Sequence, residues 1–252
     1  MWPVKKKRGE QMKAFAVTDV GKVRQMNQDY FHVSEETNYN LYILADGMGG
    51  YTGGEIASKL ATECVVEYIK ENFDSTGKNK EEILELVRST MEYANNVVYD
   101  KAKHETNLEQ MGTTLEICLV YNNRAYIGHI GDSRIYRIRK DIIRRLTTDH
   151  SYVQKLLKDG TITKEEAEHH PKKNMLMKAL GCEPIIEPDV MVKGFLKDDI
   201  ILMCSDGLTN MVDEKKIYGL IKNDFDSATQ KLIDLANESG GYDNITIITI
   251  KN

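Results

Sequence analysis

The sequence predicts an α+β fold in which antiparallel sheets pack together and helices lie outside them. Three observations support this class. Apolar runs typical of strands occur in hairpin-like groups, two pairs of stretches with helical spacing separate those groups, and strand and helix do not strictly alternate. A doubly wound parallel sheet is the weaker interpretation, because it requires that alternation.

The first part of the chain is predicted to contain three strands followed by two helices. Residues 12–20, 30–33 and 41–45 have the alternating or continuous apolar patterns of strands. From residue 54 to about residue 70, apolar side chains repeat four positions apart, which predicts an amphipathic helix. A longer helix of the same kind is expected over residues 83–104.

The rest of the chain returns mostly to strands. Residues 113–121 and 124–130 are rich in β-forming side chains, and Asn122-Asn123 between them predicts a tight hairpin. Further strands are predicted at 133–139, 142–146, 190–195, 199–204 and 244–250, and short helices at 217–222 and 228–237. Residues 149–183 are charged and only loosely helical in pattern.

Composition narrows the function classes. The chain has 252 residues and a formal net charge of −5, which gives no reason to expect nucleic-acid binding. Cys64, Cys118, Cys182 and Cys204 are scattered among mostly apolar neighbours, so we expect buried thiols rather than a disulfide framework or a zinc site. No apolar run reaches the roughly 18 residues of a membrane span. We therefore expect a cytoplasmic protein.

Three aspartates occupy similar positions beside predicted buried strands. Asp46 follows an apolar run and precedes a glycine-rich turn, Asp206 follows another run, and Asp243 precedes the last strand. Together with Asp132, a fourth candidate, they offer only oxygen ligands, which suit Mg²⁺ or Mn²⁺ better than zinc. An aspartate beside a glycine more often makes a turn or a helix cap. The recurrence of the pattern favours one cation site.

Eight short motifs then appear in one order along residues 13–250. They are Val23-Arg24 with Asn27-Gln28-Asp29; Ala45-Asp46-Gly47-Met48-Gly49-Gly50 with Gly54-Glu55-Ile56-Ala57-Ser58; Gly112-Thr113-Thr114; Gly131-Asp132-Ser133-Arg134; Thr148-Asp149-His150-Ser151; Leu176 with Lys178-Ala179-Leu180-Gly181; Cys204-Ser205-Asp206-Gly207-Leu208; and Gly241-Tyr242-Asp243-Asn244-Ile245-Thr246. In these motifs the chain resembles the metal-dependent serine/threonine protein phosphatases of type 2C, in their compact bacterial form. The resemblance implies a four-layer α/β/β/α sandwich of two antiparallel sheets flanked by helix pairs.

The resemblance also implies an activity and a site. It implies hydrolysis of phosphoserine and phosphothreonine on proteins by direct attack of a metal-bridging hydroxide. Asp46 would bridge two Mn²⁺ or Mg²⁺ ions. The Gly47 carbonyl would be a further ligand of one ion, and Asp206 and Asp243 would complete the ligands of the other. A third ion would lie at Asp132 and Asp206.

Arg24 would hold the phosphate oxygens, a task that suits its planar fork. The chain departs from many relatives in two respects. Gln28 replaces a glutamate, and neither Met48 nor Tyr51 is the histidine thought to protonate the leaving group. A metal-bound water or the Tyr51 hydroxyl could serve instead, so the identity of the acid stays open.

We expect one phosphatase domain over residues 1–252, with a polar extension at 1–11 and a flap-like subdomain at 149–183. The resemblance implies that this segment lies beside the metal site. Its charge and weak periodicity fit either a segment that contacts protein substrates or a simple surface subdomain, and the sequence does not decide between the two. His129 and His150 are expected to have structural roles. A signalling role opposing a Ser/Thr kinase, and a monomeric state, are implied. The alternatives are a non-catalytic relative that only binds, and a hydrolase of a small phosphorylated metabolite.

Overall fold

The computed structural model describes residues 12–35, 38–49, 53–106, 108 and 111–252. Its strands are β1 (Lys13–Asp19), β2 (Asp29–Glu35), β3 (Asn40–Met48), β4 (Gly112–Thr113), β5 (Leu115–Tyr121), β6 (Arg124–Ile130), β7 (Arg134–Arg139), β8 (Ile142–Arg145), β9 (Asp189–Gly194), β10 (Ile200–Cys204) and β11 (Ile245–Lys251). Its helices are α1 (Gly53–Asn72), α2 (Lys80–His104), α3 (Tyr152–Lys158), α4 (Lys164–Glu168), α5 (Asp206–Thr209), α6 (Glu214–Asn223) and α7 (Phe225–Glu238).

The strands form two antiparallel sheets. The first sheet has the order β1-β11-β10-β7-β8, and the second has the order β2-β3-β5-β6-β9 with β4 paired to β3. The β5–β6 hairpin turns at Asn122 and Asn123, whose φ angles of 48° and 56° are those of a type I′ turn, as the asparagine pair predicts.

Three apolar cores separate four layers. One core lies between the second sheet and helices α1 and α2, and another lies between the first sheet and helices α5 to α7. The third core fills the space between the two sheets with side chains such as Tyr42, Ile127 and Met203. The predicted α/β/β/α sandwich of two antiparallel sheets flanked by helices is therefore confirmed.

The structure corrects three details of the sequence-based expectations. Within residues 149–183 only α3 and α4 are helical, because charged side chains give this segment little apolar surface to pack. The short helix α5 had no predicted counterpart, since its four residues are too few to show a period. Cys182 is exposed, whereas the other three thiols are buried as expected. The predicted extension at 1–11 lies outside the described residues.

None of the helices in the described ranges combines the length and the apolar character that crossing a membrane requires.

Candidate metal centre

The predicted carboxylates meet at one end of the sandwich. Strand β10 pairs with β7 and with β11, and its last residue, Cys204, lies opposite Arg134 and Ile247. Asp206 follows β10, Asp132 precedes β7 and Asp243 precedes β11, so the chain topology brings all three to the same edge. Asp46 lies near the end of β3 in the facing sheet.

Asp29 belongs to this group, although no role was predicted for it from the sequence. It is the direct cross-strand neighbour of Asp46 and is only 6% exposed. Ser205 Oγ donates to Asp29 Oδ2 over 2.9 Å, while Asp29 Oδ1 is buried without a hydrogen-bond partner among the described residues. Its place in the Asn27-Gln28-Asp29 motif was the available signal. We call the five residues Asp29, Asp46, Asp132, Asp206 and Asp243 the carboxylate site.

Burial and mutual repulsion disfavour ionisation of these carboxylates. Burial first, and the neighbouring aspartates second, raise the pKa of Asp132 to about 8 and hold that of Asp46 well above its ordinary value. Burial is also the largest cause that raises the pKa of Asp29 to about 7 and that of Asp206 to about 6. Such a cluster of acids requires protons or cations to offset its charge.

Arg24 lies against the carboxylate site. Its Nη2 atom is 2.8 Å from Asp243 Oδ2, and this hydrogen bond is the main reason that the pKa of Arg24 is raised. The side chain stays 52% exposed, so part of its guanidinium faces solvent. A guanidinium group that is paired on one side and exposed on the other can bind an anion next to the carboxylates.

Asn244 holds the loop that carries Arg24. The Asn244 side chain donates to the carbonyl oxygens of Val20 and Met26 over 2.9 and 3.0 Å, and it accepts from the Gln28 backbone N–H over 2.8 Å. Asn244 is 5% exposed. The adjacent Asp243 and the Arg24 loop are therefore fixed by one buried side chain.

The backbone around Asp46 is equally constrained. The Asp46 carbonyl accepts from the Thr113 hydroxyl over 2.9 Å and from the Thr114 N–H over 2.8 Å, and Thr114 Oγ1 accepts from the Asp46 N–H over 3.0 Å. Gly47 follows in a space that admits no side chain, because a Cβ atom there would lie 2.1 Å from the Gly54 carbonyl oxygen. Gly47 therefore allows β3 and the start of α1 to approach closely.

The residues present fit Mg²⁺ or Mn²⁺. The donors at this edge are carboxylate and carbonyl oxygens, which both ions prefer. The buried Asp29 Oδ1 without a partner and the raised pKa of the neighbouring aspartates both indicate that a positive charge belongs there. Among the described residues close to the site, Met48 ends β3 and carries no titratable group. Tyr51, the hypothetical acid, lies outside the described residues.

A cavity of about 870 Å³ opens beside the carboxylate site. Asp132 and Asp206 line one part of it, while Gln154 and Lys173 of segment 149–183 and Asp213 before α6 line others. Segment 149–183 therefore borders a cleft that leads to the acidic residues.

Comparison with known proteins gives consistent matches along the chain. The sequence profile of the family described as Protein phosphatase 2C matches residues 21–245. The chain is 38% identical over 237 residues to the serine/threonine phosphatase stp of Listeria monocytogenes, covering 93% of both proteins. It is similar to the crystal structure of the Mycobacterium tuberculosis serine/threonine phosphatase PstP/Ppp, with a TM-score of 0.86, 32% identity, and coverage of 95% of this chain and 98% of that one. A structure of the PstP catalytic domain in complex with two manganese ions gives a TM-score of 0.83 at 32% identity, covering 95% and 97%.

Proposed function

The chain belongs to the protein phosphatase 2C family and is a protein serine/threonine phosphatase, and from that premise we propose how its residues carry out the reaction. One observation supports the proposal above the others. Arg24 is paired at 2.8 Å with Asp243, within a group of fully or partly buried carboxylates that would repel one another without a cation. Hydrolysis of a phosphate monoester in this family requires both a group that binds the phosphate anion, here the Arg24 guanidinium, and a divalent cation.

We propose that the carboxylate site holds two Mn²⁺ or Mg²⁺ ions. Asp46 would contact both ions, the Gly47 carbonyl one of them, and Asp206 and Asp243 the other. Asp132, with Asp206, is the place for a third. When bound, such ions make an activated water available near neutral pH and offset the charge of the phosphoryl oxygens.

The chain's own groups orient the substrate and the aspartates. Arg24 would bind two phosphate oxygens through its exposed guanidinium nitrogens and so align the phosphorus for in-line attack. Asp29 would be a positioning residue for Asp46. The Ser205 hydroxyl holds the Asp29 carboxylate in place directly opposite Asp46, and Asp29 would in turn restrict the orientation of the Asp46 carboxylate. The proton for the leaving alkoxide would come from a bound water or from Tyr51.

Several wider properties belong to the same proposal. Segment 149–183 would contact the protein substrate around the phosphorylated residue, since it borders the cavity beside Asp132 and Asp206. We propose that residues 1–252 act as one monomeric domain in the cytoplasm and reverse the work of a Ser/Thr kinase.

The proposal is tested by phosphate release from a phosphothreonine peptide with Mn²⁺, with Mg²⁺ and with chelator. We expect metal-dependent release, and we expect Asp206→Asn to remove nearly all of it while the circular dichroism spectrum stays native. No release by folded protein under any metal would leave a binding protein of the same fold. Release from small phosphorylated metabolites, and not from phosphopeptides, would indicate the metabolite hydrolase.

A further inference from the structure

A row of three titratable side chains crosses the second sheet and has no role in the reaction proposed above. Glu116 on β5 is the cross-strand neighbour of His129 on β6, and His129 is the neighbour of Asp189 on β9. The side chains of Glu116 and His129 are fully buried. A buried ion pair seldom adds net stability over apolar side chains of similar size. This row therefore calls for another explanation.

The hydrogen bonds of His129 identify its protons. Its Nε2 atom is 2.8 Å from the Thr148 carbonyl oxygen, which can only accept, so Nε2 carries a hydrogen. Its Nδ1 atom is 2.5 Å from Glu116 Oε1. Burial opposes a charge on His129, but the Glu116 carboxylate outweighs it and raises the pKa of His129. The ring is thus held from both sides, with one donor aimed at the first residue of the Thr148-Asp149-His150 turn.

A second ring continues the contact. His150 stacks on His129 with ring centroids 4.6 Å apart and an interplanar angle of 30°. The Gly131 N–H donates to His150 Nδ1 over 3.2 Å, so the hydrogen of His150 is on Nε2, which lies 3.5 Å from Asp189 Oδ2. The His150 N–H donates to the Gly131 carbonyl over 2.7 Å. His150 is therefore bonded twice to the residue that precedes Asp132.

These side chains do not make a metal site, although ligand atoms of His129, His150 and Asp189 lie within 4.8 Å of one another. Both nitrogens of His129 face acceptors, and the one lone pair of neutral His150 accepts from Gly131. The two stacked rings, inclined by only 30°, also direct their nitrogens side by side rather than towards one point. The group is suited to holding backbone in place.

The backbone that it holds is the base of segment 149–183. The chain leaves β8, passes His150, and returns at Asp189, the first residue of β9, and these two side chains meet beneath the segment. The base is closed further by the Met177 N–H, which donates to the His150 carbonyl over 2.7 Å, and by the Tyr152 N–H, which donates to the Met175 carbonyl over 2.8 Å.

We propose that Glu116, His129, His150 and Asp189, which we call the His129 cluster, are positioning residues that fix both ends of the flap-like segment to the turn carrying Asp132. This inference rests on the proposed function, in which that segment and Asp132 serve phosphoprotein hydrolysis. The effect on the segment does not depend on catalysis. Loss of the His129 cluster frees the Thr148 carbonyl and the His150 ring, so the segment separates more often from the sheet.

The test uses the double variant Glu116→Leu with His129→Leu, because apolar residues of similar size can replace a buried ion pair without loss of stability. The readout is the rate of trypsin cleavage at six exposed lysines of the segment, namely Lys155, Lys158, Lys164, Lys172, Lys173 and Lys178. We expect that rate to rise about tenfold, the scale of one or two lost hydrogen bonds, while cleavage within α2 stays unchanged. The matched control is Thr229→Val with Thr249→Val, which removes a buried hydroxyl pair at 2.9 Å between α7 and β11 of the first sheet.

Activity gives a second readout. In the double variant, the kcat/KM for a phosphothreonine peptide should fall about tenfold. The Mn²⁺ affinity of the two tightest sites, measured by calorimetry, should stay unchanged. His129→Gln, which can still donate to the Thr148 carbonyl, should recover most of the cleavage resistance. Unchanged cleavage of the segment in the folded double variant, or equal acceleration at every site, overturns the inference. If the wild type released no phosphate, the proposed function would fail while the cleavage assay still tested the cluster.

Discussion

Asp29 and Asp46 lie directly opposite each other on the antiparallel strands β2 and β3, with Asp29 buried beneath the edge that Asp46 helps to form. Two carboxylates in cross-strand positions repel one another unless a proton or a cation lies nearby. The Ser205 hydroxyl donates to Asp29 Oδ2, and Oδ1 is buried without a hydrogen-bond partner among the described residues. The pair is therefore arranged for a cation at Asp46.

Replacing Asp29 by asparagine tests this relationship. The amide keeps an oxygen for the Ser205 hydroxyl but removes a negative charge next to Asp46, so we expect Mn²⁺ affinity to fall about 10- to 100-fold, as for other residues that orient metal ligands. Calorimetric titration measures the affinity, and activity should return at high Mn²⁺. Asp226→Asn, at an exposed ion pair far from the site, is the control. Unaltered Mn²⁺ affinity would exclude Asp29 from the site.

The stability of the metal-free protein should depend on pH through the same carboxylates. Their protons are bound more tightly in the folded state than in the unfolded state, where an aspartate has a pKa of about 3.9. The stabilisation is therefore complete below that value and is lost as the pH rises through about 6 for Asp206, 7 for Asp29 and 8 for Asp132. With chelator, the melting temperature should fall between pH 5 and pH 8.

Saturating Mn²⁺ should reverse this trend, because the ion binds the deprotonated carboxylates. The difference in melting temperature with and without Mn²⁺ should grow steadily from pH 5 to pH 8. In Asp29→Asn combined with Asp132→Asn, the decline with chelator should be shallower. A slope equal to the wild type in that variant would show that other groups cause the pH dependence.

Arg24→Ala tests phosphate binding. Loss of charge-assisted hydrogen bonds to the phosphate should lower kcat/KM for a phosphothreonine peptide about 10- to 100-fold, whereas Mn²⁺ affinity should persist because Asp243 is released from its ion pair. Steady-state kinetics and calorimetry separate the two effects. Arg124→Ala, an exposed arginine at the β5–β6 hairpin, should behave like the wild type. Equal kinetics for both variants would remove Arg24 from the phosphate site.

Arg134 and Asp149 provide a stability prediction. Arg134 donates to both oxygens of Asp149, with its Nη2 atom 2.7 Å from Oδ2, and Asp149 is largely buried. Among the described residues, Arg134→Met leaves that carboxylate with only the weaker cationic contact from Arg145 at 3.4 Å, so the free energy of unfolding should fall by about 3 kcal/mol. Urea denaturation measures it. Loss of the exposed Lys13–Asp226 pair through Asp226→Asn should cost less than about 1 kcal/mol.

Local patterns predicted antiparallel sheets with helices outside them and placed three aspartates at strand ends, whereas the four-layer order was implied by the family resemblance. Asp46, Asp206 and Asp243 follow or precede apolar runs, and such positions show at the ends of strands without knowledge of the partner strands. Asp29 could not be assigned in this way, because its burial depends on the register with β3 and on Ser205, which lies 176 positions away. The contact of His129 with Glu116 and His150 likewise depends on pairings between strands and turns that are distant in sequence.

The place of β11 in the first sheet determines when, during synthesis, the enzyme can complete its folding. Residues 245–251 are synthesised after every other described strand, yet β11 lies between β1 and β10 and so separates two strands that are already present. A ribosome-bound chain that stops before β11 therefore has β1 without its pairing partner and Asp243 without a fixed position. Because such long-range pairings form late, we expect nascent chains to acquire phosphatase activity only after translation has passed this strand.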